Sequence, residues 1–518
     1  MLMLLGVLAA PVLAVSVPPL LDYPNHLARM VVLAENGRDP VLARMYRPHW
    51  GVIPNLGTDG IGVALLRVLP VWVAGRLLLI LVLLAPVAGM LFYHRALFGQ
   101  RRWWPLAGGL VACNALFLLG FMNFILSLGA ALLVAAGWCR WREERPVGAV
   151  AFGAAGATAV FFCHLGGVIF LAVLLGAQEA ERLLPLLRHR RWRAAGTGSV
   201  RRGMALAVVL AVPAALYGHT GMSGERGPAV WRKPAEKLLL LLDPLLNYSI
   251  VLDGISAAVL GGLLLWCRRR GWLAVPPRTV IGLLGLLGLY AVMPDKLKGG
   301  AWWDVRFPAM AGYLLFAGTD LRDMPRRAAG VAAAVLVLLF GTREAVLAAV
   351  WHGRERDVAS VRRVIAPVPA GARVLVLRAL RKPNPEYWRH DAPASRGIEH
   401  VGPTEFHLAA LLLIERRAFW PLLFAIPSQQ PLLVRTPYRA ISEPGEAPPD
   451  FHAIERAPTA TELREAPYLR DWWERFDYVL VLDADAIRDP ASYVPDRLRL
   501  VADDGFAALW AVKGAAGG

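Results

Sequence analysis

The chain has 518 residues, of which 56% are hydrophobic and only 18% charged, and its mean hydropathy is +0.46. Soluble domains are about 45–50% apolar, so this composition excludes a soluble enzyme and predicts several transmembrane helices. The formal net charge is +17. The arginine clusters flank apolar segments, which the positive-inside rule explains without nucleic acid as a partner.

Eleven apolar stretches of roughly membrane-spanning length precede residue 351. In chain order they are 1–19, 71–93, 103–119, 122–138, 147–162, 165–179, 203–217, 250–266, 280–293, 308–318 and 328–350. The run 147–179 is divided at His164, where a histidine and two glycines interrupt it. Residues 1–19 lack a basic start, which favours a retained helix over a signal peptide cleaved within VLAVS.

The loops between these spans predict the orientation of the chain. At least three arginines occur in each of the connections 95–102, 140–145, 182–202, 268–278 and 322–327, which are therefore assigned to the cytoplasm. The opposite face receives the longer loops 21–70, 219–249 and 294–308. The N-terminus then lies in the cytoplasm and the C-terminus outside, which in a Gram-negative cell is the periplasm. We expect a multi-pass protein of the inner membrane.

The composition changes after residue 353, which predicts two domains. Residues 1–353 form a transmembrane domain, and residues 354–518 a small soluble α/β domain on the outer face. Strands are expected at 373–377, 431–435 and 478–483, a helix at 461–476 and a closing hairpin at 498–510. The fold class is therefore mainly α, a polytopic helical membrane protein with a C-terminal α/β domain.

The stretch LDYPNHLARM at 21–30 follows the first apolar run without a spacer. Asp22 would sit just outside the bilayer, where a carboxylate can stay ionised beside an apolar pocket and serve as a general base. The alternative is that Asp22 only caps the helix that Pro24 begins. His26 and Arg29 are three residues apart and share a face of that helix.

The other polar candidates also lie on the predicted outer face. Four of the six lysines lie in the two later outer loops, although the positive-inside rule does not call for cations on that face. Lysine and arginine both bind phosphate, so we interpret these cations as a site for an anionic lipid headgroup or a pyrophosphate-like ligand, with incidental loop charge as the alternative. The tryptophans either stack on a sugar or belong to an interfacial belt. The candidates are Asn55, Asp59, His164, Lys237, Lys296, Lys298, Trp302, Trp303, Asp304 and Arg306.

The sequence does not indicate a metal or redox site. The four cysteines lie in or beside apolar runs, without a disulfide framework or metal-ligand spacing. Asp483 and Asp485 form an acid–x–acid pattern after a predicted strand, but no nucleotide-binding framework precedes it, so we do not assign it a catalytic role. No organic cofactor is expected, and a divalent metal is not supported.

With these residues the chain resembles the GT-C superfamily of integral membrane glycosyltransferases. The resemblance rests on Asp22 after the first span, on about eleven spans with large outer loops, and on a C-terminal soluble domain at the same face. Many members carry two adjacent acids in the first loop, whereas Tyr23 follows Asp22 here. The resemblance implies a polyprenyl-phosphate-linked sugar as donor, a glycan, lipid or protein as acceptor, and hexosyl or pentosyl transfer.

The resemblance also implies roles for the candidate residues. Asp22 would be the general base, and His26 would orient it or the acceptor. The donor phosphate would be held by Lys296, Lys298 and Arg306 together with Lys237. Substrate contacts would come from Arg29, Asn55, Asp59, His164, Trp302, Trp303 and Asp304.

A competing class remains open, namely a transporter or flippase for lipid-linked glycans, or a non-catalytic assembly factor of the same fold. Transporters place ionisable residues near the bilayer midplane. The spans are expected to hold few of them, such as Arg76 and Asp253 near helix ends. This pattern favours chemistry at the outer face over transport.

Overall fold

A computed structural model describes residues 2–35, 37–100, 102–298, 300–379, 396–398, 401–486 and 496–514. The protein is mainly α-helical with a small C-terminal α/β region, as predicted. Buried apolar side chains form one continuous cluster that runs from the membrane helices into the C-terminal sheet. The two parts of the chain therefore share one core.

The membrane part and its outer loops are built from fifteen described helices. They are α1 (Leu2–Ala14), α2 (Tyr23–Ala34), α3 (Pro40–Met45), α4 (Gly57–Leu66), α5 (Val71–Phe98), α6 (Ala115–Leu118), α7 (Met122–Trp141), α8 (Pro146–Cys163), α9 (Leu165–Arg188), α10 (Trp192–Gly218), α11 (Pro234–Leu240), α12 (Ile250–Arg269), α13 (Pro277–Val292), α14 (Arg306–Gly318) and α15 (Arg326–Ile365). Within the described residues, α5, α7, α8, α10, α12 and α15 are long and apolar enough to cross a membrane.

The predicted span 103–119 is wrong as a continuous helix. A 3₁₀ helix, Trp104–Val111, is followed by a break and by the short α6. Pro105, Gly108 and Gly109 have low helix propensity. The Asn114 side chain accepts a hydrogen bond from the Phe117 N–H at 3.0 Å, so it caps α6 and starts a new helix.

The predicted break at His164 is confirmed. His164 is extended between α8 and α9, and its Nδ1 accepts a hydrogen bond from the Gly166 N–H at 2.8 Å. A Cβ added at Gly167 would lie 2.4 Å from the Ser127 hydroxyl. The glycine therefore allows α9 to start in close contact with α7.

The expectation of few ionisable groups inside the spans is wrong for α15, where Arg343 and Glu344 are both buried. Arg343 Nη1 lies 2.7 Å from Asp253 Oδ1 on α12, and it also donates to the Ser256 hydroxyl at 3.1 Å. Because these contacts partner the buried guanidinium, Arg343 joins two helices.

The C-terminal strands confirm most of the sequence prediction. The strands are β1 (Tyr46–Pro48), β2 (Leu273–Ala274), β3 (Asp320–Leu321), β4 (Val374–Arg378), β5 (Gly397–Ile398), β6 (Gly402–Pro403), β7 (Leu432–Val434), β8 (Tyr478–Leu482), β9 (Leu498–Asp503) and β10 (Ala507–Val512). A four-stranded sheet has the order β4-β8-β10-β9, with β4 and β8 parallel. The strand predicted at 431–435 exists as β7, but it pairs with β1 of the first outer loop.

Among the described residues of the soluble part there are three further helices: α16 (Leu411–Arg416), α17 (Ala460–Glu465) and α18 (Trp472–Arg475). The single helix predicted at 461–476 is wrong, because Pro467 begins a separate 3₁₀ turn between α17 and α18. Helix α15 continues through residue 354 to Ile365. One unbroken helix therefore connects the membrane part to the sheet.

Candidate active site

A cavity of about 500 Å³ lies between the loops predicted to face outward and the C-terminal α/β region. Seven of the residues predicted from the sequence line it: Asp22, His26, Arg29, Asn55, His164, Trp302 and Arg306. The opposite wall comes from the soluble domain and includes Phe406, His407, Phe424, Gln429, Gln430 and Glu446. The cavity is therefore closed by two parts of the chain that are distant in sequence.

Asp22 directly precedes α2, and its carboxylate caps none of the described N–H groups of that helix. Its backbone N–H donates to the Leu119 carbonyl at 3.1 Å, beside the turn at Gly120, whose φ is +82°. A Cβ at Gly120 would lie 2.9 Å from the Asp22 Cβ, so only glycine allows this approach. The carboxylate is 16% exposed and borders the cavity. This geometry favours a role in the cavity over helix capping.

His26 is held as a neutral acceptor. Its Nδ1 lies 2.9 Å from Arg29 Nη2, and because a guanidinium can only donate, Nδ1 accepts and the proton resides on Nε2. The pKa of His26 lies well below its usual value, chiefly because of burial and then because of Arg29 and His407. His26 therefore offers the cavity an N–H donor at ordinary pH.

Arg29 and Asp59 form a fully buried pair that joins α2 to α4. Arg29 Nε and Nη2 donate to the two Asp59 oxygens at 2.9 and 3.0 Å, and the side chains are 1% and 0% exposed. Asp59 does not line the cavity. Its part in the structure is to hold the guanidinium of Arg29, which also positions His26.

Arg306 begins α14 and is the buried cation of the cavity. Its guanidinium carbon lies 4.6 Å from the Trp303 ring centre and 5.3 Å from that of Phe121. Within the described residues, its Nε and Nη1 have no hydrogen-bond partner, although the side chain is largely buried. Unpaired buried donors are costly, so this arrangement suits an anion that enters from the cavity.

A second cavity of about 400 Å³ adjoins the first and is almost entirely apolar. Its walls come from α9 and α10, and Gly300 lines both cavities. Lys298 and Trp303 also line it, and Lys298 Nζ donates to the Ser223 carbonyl at 3.2 Å. A long apolar chain in this second cavity would therefore carry its polar end toward Arg306.

Besides Asp59, three predicted site residues line neither cavity. Lys237 Nζ donates to the carbonyls of Tyr290 at 2.9 Å and Met293 at 2.7 Å, which stabilises the end of α13. Lys296 is exposed and contributes its backbone to a bridge with Val230. Asp304 is fully buried, and its Oδ2 lies 3.2 Å from Arg232 Nε. These contacts give the side chains of Lys237 and Asp304 structural roles, whereas the Lys296 side chain is exposed.

Sequence reasoning singled out no individual residue of the soluble-domain wall. His407 begins an apolar run of helix length. A single histidine, without a second polar residue at a defined spacing, does not predict a site. The His407 Nδ1 lies 3.2 Å from Asp22 Oδ1. The sequence signal that could have drawn attention to it is a histidine two residues after Glu405, at the start of an apolar run.

The acid–x–acid pattern in the soluble domain is part of an ionic cluster. Asp483 is 5% exposed at its side chain and lies 2.8 Å from Arg378 Nε and 3.2 Å from Arg396 Nη1. Arg378 also pairs with Glu405 at 2.8 Å. Burial, followed by the charge of Asp483, raises the pKa of Glu405 to about 7. These pairs favour a structural role for Asp483. Among the described residues, no group of three His, Cys, Asp or Glu could hold a metal ion.

No family model matches the sequence, and no curated protein matches it. Solved structures do match. The crystal structure of ArnT from Cupriavidus metallidurans bound to undecaprenyl phosphate has 14% sequence identity, covers 100% of this chain and 99% of its own, and gives a TM-score of 0.51. The chain has the fold of this ArnT structure.

The likeness to ArnT extends over the whole chain, so the resemblance inferred from the sequence is confirmed at the level of the fold. The apo structure of the same ArnT has 14% identity, covers 94% of this chain and 93% of its own, and gives a TM-score of 0.48. The fold shared with the ligand-bound ArnT structure agrees with the multi-pass membrane protein predicted from composition.

Proposed function

We propose that the protein is a glycosyltransferase that moves a hexose or pentose from a polyprenyl-phosphate donor to an acceptor at the outer face of the inner membrane. The observation that carries the proposal is one cavity, next to an apolar cavity, that combines the carboxylate of Asp22 with the guanidinium of Arg306. Two nitrogens of that guanidinium, Nε and Nη1, have no hydrogen-bond partner among the described residues. The ArnT structure of similar fold holds undecaprenyl phosphate, which supports a lipid of this class as partner.

The proposed reaction is a single displacement at the anomeric carbon. Asp22 takes the proton of an acceptor hydroxyl, whose oxygen forms the new bond to the sugar. The bond between the anomeric carbon and the phosphate oxygen breaks, and its electron pair leaves with the phosphate. Arg306 stabilises the charge that develops on the leaving phosphate. Asp22 then releases its proton to water.

The two cavities divide the donor between them in this proposal. The polyprenyl chain lies in the apolar cavity between α9 and α10, and Lys298 contacts the phosphate from one side. Trp302 and His164 contact the sugar, because both line the polar cavity. The soluble-domain wall, with Gln429 and Gln430, receives the acceptor, which is a glycan, lipid or protein. Of the four residues that the sequence predicted to bind the donor phosphate, Arg306 and Lys298 remain in this proposal.

Replacing Arg306 with glutamine should weaken binding of undecaprenyl phosphate about tenfold to a hundredfold, because one charge-assisted phosphate contact is lost. The same change should leave the ligand-free protein equally or more heat-stable, since it removes an unpaired buried charge. Binding is measured by tryptophan quenching in detergent, and stability by thermal unfolding.

Lys296→Gln is the matched control, because Lys296 lies in the same loop but outside both cavities. Its affinity for undecaprenyl phosphate should equal that of the wild type. Equal affinity in Arg306→Gln, Lys298→Gln and the control would remove the phosphate site from the proposal.

The proposed orientation places the N-terminus in the cytoplasm and the soluble domain in the periplasm. A reporter that is active only in the periplasm should be active when fused after Lys513 and silent when fused at Arg193. The reason is that Arg193 lies in the densest arginine cluster, which resists translocation. Fusion activities in cells provide the measurement, and the reverse pattern would put the cavity on the wrong face for a periplasmic reaction.

The competing function is transport or assembly of lipid-linked glycans without catalysis. The buried Arg343 of α15 is paired with Asp253 of α12. The cavity of Asp22 lies at one face, in contact with the soluble domain. Both observations favour a reaction at the outer face over a path through the membrane.

A further inference from the structure

Two loops that the sequence predicts to face outward are joined next to the polar cavity. The Val230 N–H donates to the Lys296 carbonyl at 3.1 Å, and the Asp295 N–H donates to the Val230 carbonyl at 2.8 Å. Arg232 follows two residues later, and its guanidinium contacts two carboxylates of the other loop. Its Nη2 lies 2.5 Å from Asp295 Oδ1, and its Nε lies 3.2 Å from Asp304 Oδ2. The other loop therefore holds Arg232 in a defined place.

Trp302 has a backbone conformation that bulky residues rarely adopt. Its φ is +61°, in the left-handed region, where the side chain of an L-residue is crowded. Such a conformation persists only where the surrounding structure holds it, and it is frequent at functional sites. Asp295 holds it here, because its Oδ1 accepts from the Trp302 N–H at 3.3 Å and its carbonyl accepts from the Trp303 N–H at 3.0 Å. Asp295 thus contacts both Arg232 and the backbone at Trp302.

The indole of Trp302 contacts Arg232 and also lines the polar cavity. The guanidinium carbon lies 4.7 Å from the centre of the ring, within the range of a cation–π contact. Trp302 is half-buried, so part of its surface remains open. The position of this ring in the cavity wall therefore depends on where the guanidinium of Arg232 is held.

Trp302 is also close in the chain to the proposed phosphate site. It precedes Trp303, whose ring centre lies 4.6 Å from the guanidinium carbon of Arg306. Trp302 and Arg306 line the same cavity, so a sugar bonded to a phosphate at Arg306 would lie in the space that Trp302 borders. An aromatic ring gives such a sugar a large and rigid contact surface.

We propose that Arg232 is a positioning residue for Trp302, an inference that rests on the proposed function. Arg232 holds the indole in the orientation in which it stacks on the sugar of the donor. Asp295 and Asp304 fix the guanidinium, so the ring is ordered before the donor binds, and less conformational entropy is lost on binding. Affinity for the sugar then depends on Arg232, although Arg232 lines neither cavity.

Binding of radiolabelled lipids to the purified full-length protein in detergent tests this role. One lipid is undecaprenyl phosphate, and the others are undecaprenyl phosphate linked to glucose, galactose, mannose, arabinose or xylose. The dissociation constant of the lipid without a sugar, divided by that of the lipid with a sugar, gives the sugar ratio. It is followed for the sugar that the wild type binds most tightly.

In Trp302→Ala the sugar ratio should fall about threefold to tenfold, because one aromatic contact is lost, while affinity for undecaprenyl phosphate alone stays unchanged. Arg232→Gln should lower the ratio by a similar factor. Arg232→Lys keeps a cation between the two carboxylates and beside the ring, so it should recover most of the ratio. A wild-type ratio in Arg232→Gln would overturn the inference.

The double variant separates positioning from general damage to the loop. If Arg232 acts through Trp302, Arg232→Gln should not lower the sugar ratio further when Trp302→Ala is already present. Losses that add in the double variant would show that Arg232 acts by another route, and they would overturn the inference.

Trp231→Ala and Arg226→Gln are the matched controls, since neither residue lines a cavity. Trp231 is 57% exposed, and Arg226 is also exposed. Both variants should keep the wild-type sugar ratio. A wild type that binds undecaprenyl phosphate but gains no affinity from any of these sugars would overturn this inference alone. A wild type that does not bind the lipid would overturn the proposed function as well.

Discussion

Replacing Asp22 with asparagine should lower turnover by roughly 10²–10⁴-fold, the usual contribution of a general base. The change keeps the size of the side chain and removes its ability to take a proton. Since Asp22 makes no capping bond to the described part of α2, folding should not depend on its charge. Turnover is measured as release of undecaprenyl phosphate from a panel of undecaprenyl-phosphate-linked hexoses and pentoses in native membranes, and undecaprenyl phosphate binding should stay intact.

Asp39→Asn provides the matched control for this substitution. Asp39 lies in the same outer loop and caps α3 through the N–H groups of Val41 and Leu42. Asparagine caps helices about as well as aspartate, so turnover should stay close to the wild-type rate. Near wild-type turnover in Asp22→Asn as well would make Asp22 structural and favour the transporter or assembly-factor function.

Replacing Asp59 with alanine should destabilise the protein by about 3–5 kcal/mol, because Arg29 would remain buried without its partner. The pair is 1% and 0% exposed and joins α2 to α4, so water cannot replace the lost oxygens. Since Arg29 also donates to His26, the cavity should lose its order together with the fold. Thermal unfolding in detergent measures the loss.

The double replacement Arg29→Met with Asp59→Leu should recover much of this stability, because it removes both charges and keeps apolar volume. Glu144→Gln serves as the exposed comparison, since the pair of Arg140 and Glu144 is solvated. It should leave the unfolding temperature unchanged. A loss in Asp59→Ala no larger than that of Glu144→Gln would contradict a stabilising buried pair.

Much of the fold follows from local patterns in the sequence. The break at His164, the existence of strands β4 and β8, and the hairpin of β9 and β10 were all predicted from apolar runs and their interruptions. Helical spacing also predicted that His26 and Arg29 share a face, and their side chains meet at 2.9 Å. Apolar runs and helical spacing involve residues that are close together in the chain, so they can be recognised in a single sequence.

The sequence by itself predicted the membrane class and the long apolar helices, and it singled out Asp22. Only the tertiary structure decided that Arg306 enters the cavity whereas Lys237 and Lys296 do not, and that His407 meets Asp22. The role of a charged side chain depends on which groups, distant in the sequence, pair with it or exclude solvent from it. Lys237 Nζ donates to a carbonyl at the end of α13. Arg306 instead packs against an aromatic ring, and its Nε and Nη1 have no hydrogen-bond acceptor among the described residues. Such pairing arises from packing between segments far apart in the chain, which composition and spacing do not encode.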